Sequence, residues 1–242
     1  MELPPELLDH LQTAQSIVAL TGSGVSAESG VPTFRDAQTG LWAQYDPQQL
    51  ATPEAFMRDP DLVWEWYEWR RQLVREAGPN PGHYALADLE QKAPDFTLAT
   101  QNVDGLHKQA GSVNVLELHG NIRRTTCSAE HIEVDTHDAG AAGVCPGCGA
   151  PLRPDVVWFG EIMPEGLVEA ASEAARACDV FLSVRTSSLV YPAASLPYQA
   201  VAAGATVIEV NPEETPLSSR ADYALRGMAS AVLPALSDAY GG

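Results

Sequence analysis

Four cysteines in 242 residues are too few to staple a chain of this size. Disulfides are therefore not expected to hold the fold. Long apolar runs are also missing: the longest are strand-length, far short of a membrane span. The first fifteen residues are polar, carry Pro4 and Pro5, and lack the basic start and apolar core of an export signal. A cytoplasmic setting is expected, where thiols stay reduced. Basic residues are scarce, with 14 Lys and Arg against 32 Asp and Glu, for a formal net charge of −18. Non-specific nucleic-acid binding needs a basic surface, and adhesion to anionic lipid needs the same. Neither nucleic acid nor membrane is expected as a partner, whereas basic proteins are not excluded. What is present is a core: hydrophobic residues make up 45%, at a length that buries about 72% of the unfolded surface.

Strand-like and helix-like segments alternate. A short helix is predicted over 7–12, strands over 16–20, 96–100 and 115–118, and a turn over 21–24. An Ala-rich helix over 167–177 leads into a strand over 179–184, and a helical run over 193–203 leads into a strand over 206–210. This rhythm implies βαβ units and a mostly parallel sheet covered on both faces, an α/β fold. Two stretches break it. Residues 36–76 hold every tryptophan except Trp158 and read as helical. Residues 120–155 are rich in Cys, Gly and Thr, with little periodicity. Both read as insertions that build a smaller module.

The first strand runs into Gly22-Ser23-Gly24-Val25-Ser26-Ala27, which fits G-x-G-x-x-G/A. Glycines there let backbone N–H groups approach a pyrophosphate. A dehydrogenase would add an acidic residue about 20 positions on, at a second strand end. Residues 40–45 are no strand end, so the turn points to a dinucleotide without hydride chemistry.

That turn extends into Gly22-Ser-Gly-Val-Ser-Ala-Glu-Ser-Gly-Val-Pro-Thr-Phe-Arg-Asp36. Further on come Thr100-Gln-Asn-Val-Asp-Gly-Leu-His107, Glu117-Leu-His-Gly120, Pro154-Asp-Val-Val-Trp-Phe-Gly-Glu161, Thr186-Ser-Ser-Leu-Val-Tyr-Pro-Ala193 and Glu209-Val-Asn-Pro212. In content and order, over nearly the whole chain, these blocks resemble the sirtuins, NAD-dependent protein-lysine deacylases. The resemblance implies a Rossmann-like NAD-binding domain over 1–35, 77–119 and 156–242. It implies a small domain made of a helical module over 36–76 and a zinc-ribbon-like module over 120–155. The reaction it implies consumes NAD and an acylated lysine in a protein or peptide, releasing nicotinamide, O-acyl-ADP-ribose and free lysine.

Such chemistry needs a base for a ribose hydroxyl. Imidazole titrates near neutral pH, and resemblance makes His119 that base. Resemblance also assigns Gln101 and Asn102 to the ribose and its ordered water, and Asp104 to the nicotinamide amide. Asn102 and Asp104 thereby join His119 as catalytic candidates. Phe34 would cover the reactive ribose face and Arg35 would approach the phosphates. Gly22, Ser23, Gly24, Ser26, Ala27, Glu28, Thr33, Trp42 and Val103 complete the nearer part of the implied cofactor site. Arg185, Thr186, Ser187, Asn211, Pro212, Glu213 and Ala229 complete the rest. Val157 and Phe159 would line the acyl-lysine tunnel, and an extended substrate would pair with backbone at Phe159, Gly160 and Glu161. His83 and His107 are expected to be structural, and Cys178 a buried apolar residue.

Three features bear on specificity and cofactors. Tyr67 and Arg70, three apart on a predicted helix, share a face. They resemble the Tyr-x-x-Arg of the sirtuin class that removes acidic acyl groups, since a guanidinium grips a carboxylate bidentately. Desuccinylase or demalonylase activity, with some deacetylase activity, is the implied preference. The zinc pattern of two C-x-x-C pairs is incomplete: Cys145-Pro-Gly-Cys148 stands, but the first pair reads Cys127-Ser-Ala-Glu130. Zinc accepts carboxylate or imidazole, so Glu130 or His131 is left to complete the site. Finally, Arg185 replaces the family's usual glycine, where it could clash with the nucleotide, swing away or meet a phosphate. Arg185 keeps open a nucleotide sensor or scaffold with weakened turnover; NAD hydrolysis or ADP-ribosyl transfer on the same site is the other alternative.

Overall fold

The computed structural model describes residues 3–33, 45–135, 143–164 and 166–240. Among them the chain forms strands β1 (Ser16–Thr21), β2 (Asp95–Thr100), β3 (Val115–Glu117), β4 (Gly120–Cys127), β5 (Leu152–Val156), β6 (Val180–Val184), β7 (Thr206–Val210) and β8 (Tyr223–Leu225). The helices are α1 (Pro5–Thr13), α2 (Ser23–Ala27), α3 (Pro47–Leu50), α4 (Pro53–Arg58), α5 (Pro60–Glu76), α6 (Pro81–Lys92), α7 (Leu106–Gln109), α8 (Leu167–Ala177), α9 (Leu196–Ala203) and α10 (Ala229–Tyr240). None of the described helices is long and apolar enough to cross a membrane.

Six strands pair in the order β3-β2-β1-β6-β7-β8, every neighbour parallel. The period-2 alternation of each strand divides the core. Ile17 and Ala19, with Leu98, Leu182 and Ile208, pack against Leu7 and Leu11 of α1, Leu86 and Leu89 of α6, and Leu233 and Leu236 of α10. Val18 and Leu20, with Phe181 and Val207, meet Ala171 and Ala175 of α8 and Leu196 and Ala200 of α9. Both faces are covered, which is why the strands read as unbroken apolar runs. From β1 the chain winds one way to β2 and β3, then restarts at β6 on the other side of β1 and winds outward. The order reverses between β1 and β6, and in such sheets ligands bind beyond the carboxyl ends at that reversal.

The smaller module packs α4 and α5 on the antiparallel pair β4–β5. Its core holds Phe56, Val63, Trp64, Trp66, Tyr67, Ile122, Leu152 and Trp158. Asp59 caps α5 by accepting from Leu62 N–H, and Pro60 stands in the first turn, where its missing donor costs nothing. Arg71 of α5, 8% exposed, does what apolar contacts cannot. The β4–β5 register slips between Asn121 and Thr125. Arg71 donates Nε to Ile122 O at 2.6 Å and Nη2 to Arg124 O at 2.7 Å within that slip, meeting backbone acceptors that a bulge takes out of the ladder.

Two expectations change. The run over 193–203 is not one helix: a 3-10 turn over Ala193–Ser195 precedes α9. Pro197, in the first turn of α9, lacks the N–H that a continuous helix would use. The Cys- and Gly-rich stretch carries the eight-residue strand β4 despite its weak pattern. Polar Asn121, Thr125 and Thr126 are buried there, which masks the alternation.

Candidate functional site

The turn after β1 lies against the turn after β6. Gly22 donates N–H to Val184 O at 3.0 Å. A Cβ on Gly22 would stand 2.8 Å from Thr186 Cα, and one on Gly24 would stand 3.0 Å from Arg185 O. Only glycine permits this approach, so the turn's composition follows from packing at the switch point as well as from any ligand.

Beneath it is a buried polar network. Ser26 Oγ donates to Asp104 Oδ2 at 2.7 Å, and Asn102 Nδ2 donates to Ser26 Oγ at 3.0 Å and to Gly22 O at 3.1 Å. Asp104 Oδ1 accepts Leu106 N–H at 2.8 Å. Gln101 Nε2 crosses the switch point to Thr186 Oγ1 at 2.9 Å. His119, two residues past the end of β3, sets Nδ1 3.0 Å from Gln101 O. A carbonyl only accepts, so Nδ1 carries the proton and Nε2 keeps the lone pair. Burial holds the His119 pKa below its usual value against the opposing pull of that carbonyl. The imidazole is thus neutral with a fixed tautomer, held by the backbone of Gln101, the residue before Asn102.

Beside the switch point, the loop after β6 presents hydroxyl groups that could meet a phosphate. Ser188 Oγ, in the loop after β6, is buried with no hydrogen-bond partner among the described residues. Thr186 is buried beside it, and Ser187 is half-buried. Asn211 gives its amide to Thr186 O at 3.0 Å, so it braces this loop directly. Pro212 and Glu213 are exposed past β7, Ser23 is exposed at the first turn, and Ala27 and Thr33 are half-buried. Val103 uses its carbonyl to accept Ile122 N–H. Phe34, Arg35 and Trp42, together with the rest of 34–44, lie outside the described residues.

Two expected cofactor contacts are otherwise engaged. Glu28 accepts Ala229 N–H at 2.9 Å and Ser230 N–H at 2.8 Å, capping α10. Its carboxylate also meets Arg185 Nε at 3.0 Å. Glu28 is therefore a brace between α2 and α10, and the Ala229 amide is spent on it. Arg185 adopts φ +53°, the left-handed region where glycine is at ease. Its side chain folds down over Gly24, with Nε 3.3 Å from Gly24 O. Of the three outcomes open in sequence, it swings away to an acid.

Around Trp158 the small module builds a second cluster. Trp158 Nε1 donates to Tyr67 Oη at 2.9 Å, and the Arg153 guanidinium lies 3.5 Å over the indole. Tyr67 is 2% exposed, and burial pushes its pKa up to about 12 against the pull of Arg70. The phenol stays neutral and keeps its proton to donate. Burial lowers the Arg70 pKa, with Tyr67 and Asp104 opposing. Arg70 thus feels both Tyr67 and Asp104. Val157, the expected tunnel wall, is half-buried and gives its N–H to the backbone of His119 at 3.0 Å.

Phe159 is 46% exposed. Glu161, expected to meet substrate, turns inward: it pairs with Arg153 and accepts Trp158 N–H at 2.8 Å. Phe159 and Glu161 N–H groups go to Ala51 O and Trp158 O. Strand addition is left to Gly160 and the carbonyls of the segment. Sequence reasoning missed Arg153, whose only signal was a cation inside a strand beside buried Leu152.

His83 and His107 are buried with ring centroids 4.7 Å apart. His83 Nδ1 accepts Asn80 N–H in the capping box of α6, and His107 Nε2 lies 2.9 Å from Thr21 Oγ1. Both serve the scaffold, and Cys178 is buried between α8 and β6 as expected. Cys127, Cys145 and Cys148 converge at the far end of β4, with Cys127 Sγ 3.5 Å from Cys148 Sγ. Thiolates about 2.3 Å from a tetrahedral zinc lie about 3.8 Å apart, so these thiols fit that ion with little movement.

The Sir2 family model matches residues 22–192. A protein of Methylococcus capsulatus named NAD-dependent protein deacylase is 50% identical over 249 residues, covering 99% of this chain and 98% of its own. One of the same name from Aquifex aeolicus is 52% identical over 226 residues, covering 92% and 94%. A solved Sir2 homologue–NAD complex superposes with a TM-score of 0.91 at 44% identity, over 98% of this chain and 93% of that one. A Sir2 structure with a deacetylated p53 peptide and 3′-O-acetyl ADP-ribose has a TM-score of 0.83 at 30% identity, over 98% of both chains. The sequence blocks and the sheet order agree with these end-to-end likenesses, and the chain belongs to the Sir2 family.

Proposed function

We propose that the chain is an NAD-dependent protein-lysine deacylase, with NAD held across the β1–β6 switch point and zinc in the small module. The observation that carries this is His119: a neutral imidazole of fixed tautomer, braced by Gln101 O and set with the Asn102–Ser26–Asp104 network. Bound NAD supplies a ribose carbon that the acyl oxygen can capture once nicotinamide leaves. His119 Nε2 takes the proton of a ribose hydroxyl, and its Nδ1–H bond to Gln101 O stabilises the imidazolium that results. Asn102 and Asp104, held rigid by Ser26, orient the nicotinamide half, while Thr186, Ser187 and Ser188 face the phosphates. Val157 and Phe159 flank the incoming acyl-lysine.

Exposed Phe159, Leu189, Val190 and Tyr191 supply apolar surface for a polypeptide, and the acidic surface favours basic flanks around the target lysine. The same reading keeps the two-domain division at the boundaries given by the resemblance.

Acyl choice follows Tyr67 and Arg70. A neutral phenol donor and a buried guanidinium suit a distal carboxylate, so succinyl-, malonyl- or glutaryl-lysine is removed faster than acetyl-lysine. Nicotinamide release measured with and without succinyl-peptide tests the whole reading. Peptide-dependent release supports it; peptide-independent release points to NAD hydrolysis; NAD binding without release points to a sensor. His119→Gln should lower turnover by about 100-fold or more. Arg70→Ala should lower kcat/KM for succinyl-peptide by about 10- to 100-fold, the worth of a charge-assisted hydrogen bond. Acetyl-peptide turnover should be spared.

A further inference from the structure

We infer that Glu130 is the fourth ligand of the metal site, which is therefore built from three thiolates and one carboxylate. The inference does not depend on the catalytic reading. One ligand atom each from Cys127, Glu130, Cys145 and Cys148 lies within 4.8 Å of all the others. A tetrahedral ion with zinc–sulfur bonds of about 2.3 Å and a zinc–oxygen bond of about 2.1 Å needs separations of about 3.6–3.8 Å.

The backbone explains why Glu130 stands beside the cysteines. Glu130 N–H points at Cys127 Sγ, 3.4 Å away, and His131 N–H bonds Cys127 O at 2.9 Å. The turn so formed brings the residue three after Cys127 back beside its sulfur. On the opposite side, Cys145 N–H bonds Ala150 O and Gly149 N–H bonds Cys145 O, which presents Cys145 and Cys148 together. His131, the rival ligand, has φ +53° and is absent from the cluster. Its side chain instead lines a cavity of about 580 Å³ with Phe56, Trp158 and Glu161.

Charge is conserved by the exchange. A divalent ion with three thiolates and a carboxylate carries the same formal −2 as one with four thiolates. What changes is softness: oxygen is a harder donor, and Glu130 and Cys148 are both exposed. The site is thus weaker for zinc and more open to ligand exchange than a four-thiolate site.

The test reads the metal alone, in the full-length chain. Zinc content by mass spectrometry should be one per chain, and Glu130→Gln should raise the zinc Kd, measured by chelator competition, by about tenfold or more. Glu130→Cys should lower that Kd. With Co²⁺ in place of Zn²⁺, it should also raise thiolate-to-metal absorption by about one third, the share of a fourth sulfur. His131→Gln should change neither quantity. An unchanged Kd in Glu130→Gln, no added absorption in Glu130→Cys, or metal loss in His131→Gln would each overturn the assignment. Glu130→Cys keeps the test decisive if Glu130→Gln does not fold.

Discussion

Replacing Arg185 by the glycine usual in the family separates its structural role from any cofactor role. Two local effects oppose each other. The substitution relieves a left-handed residue, worth about 1–2 kcal/mol, but adds unfolded-chain entropy of about 0.5–1 kcal/mol. It also deletes the bond from Arg185 Nε to Glu28, whose side chains are 15% and 3% exposed. A hydrogen bond to a charged group is worth about 1.5–3 kcal/mol. Glu28 keeps the Ala229 and Ser230 amides at the start of α10, so its charge is not stranded. The net loss is about 1–2 kcal/mol, a fall in Tm of about 2–8 °C at this chain length.

Arg185→Ala loses the same bond and keeps the strained backbone, so it should be less stable than Arg185→Gly by about 1 kcal/mol. Calorimetry or urea unfolding reads both. Because the guanidinium is engaged by Gly24 O and Glu28, NAD affinity by titration calorimetry should stay within about threefold in Arg185→Gly, less than 1 kcal/mol. Tenfold tighter binding would mean that Arg185 obstructs the crevice; tenfold weaker binding would mean that it holds a phosphate. Either result, or an alanine variant as stable as the glycine one, refutes the argument.

Arg71→Lys should destabilise the protein by about 3–5 kcal/mol in urea unfolding, because an ammonium cannot reach Ile122 O and Arg124 O in the forked geometry of a guanidinium; a loss under 1 kcal/mol would contradict the bulge-filling role. Gly22→Ala should abolish NAD binding in an equilibrium assay while the chain stays folded by circular dichroism, since the added methyl meets Thr186 Cα at 2.8 Å. His107 is held neutral by burial, its pKa pushed down to about 3, with His83 adding to the effect, whereas the unfolded imidazole titrates near 6.5. The unfolded chain therefore takes a proton that the native fold refuses, so stability falls as pH drops from about 6.5 toward 3, by at most about 5 kcal/mol, and this group is silent above pH 7. In His107→Gln the loss between pH 7 and 5 should shrink by about 2 kcal/mol. For catalysis, the depressed His119 pKa places the acid limb of kcat/KM below pH 6.5, and a midpoint above 7 would show that another group limits.

The parallel strands were legible because burial on both faces leaves runs such as Ile17-Val-Ala-Leu20. The boundaries of α8 and β7 match their predicted spans for the same reason, a clean apolar pattern between polar ends. β4 was hidden because buried Asn121, Thr125 and Thr126 interrupt its alternation. It is braced by Arg71, a residue of another segment, which no local pattern can announce. In the site, the residue types of Asn102, Asp104 and His119 were readable, and so was the turn at Gly22 and Gly24. Their wiring was not. That Glu28 caps α10, 201 residues away, and that Glu161 serves Arg153 are facts of tertiary geometry. Arg185 shows the limit most directly, since one sequence change allowed three orientations and only its contacts with Glu28 and Gly24 select one.

Strand β4 runs from the neighbour of His119 to the cysteine cluster. It starts at Gly120, the neighbour of His119, and finishes at Cys127, the first sulfur of the metal cluster. Gly120 has φ +81°, and a Cβ there would overlap Asp155 O at 2.3 Å. The base is therefore moored to the β4–β5 hairpin at a point with no slack. With an ion held at Cys127, some 25 Å of strand would separate it from His119, so removing that ion is expected to reach the imidazole only through the β4–β5 hairpin that fixes Gly120.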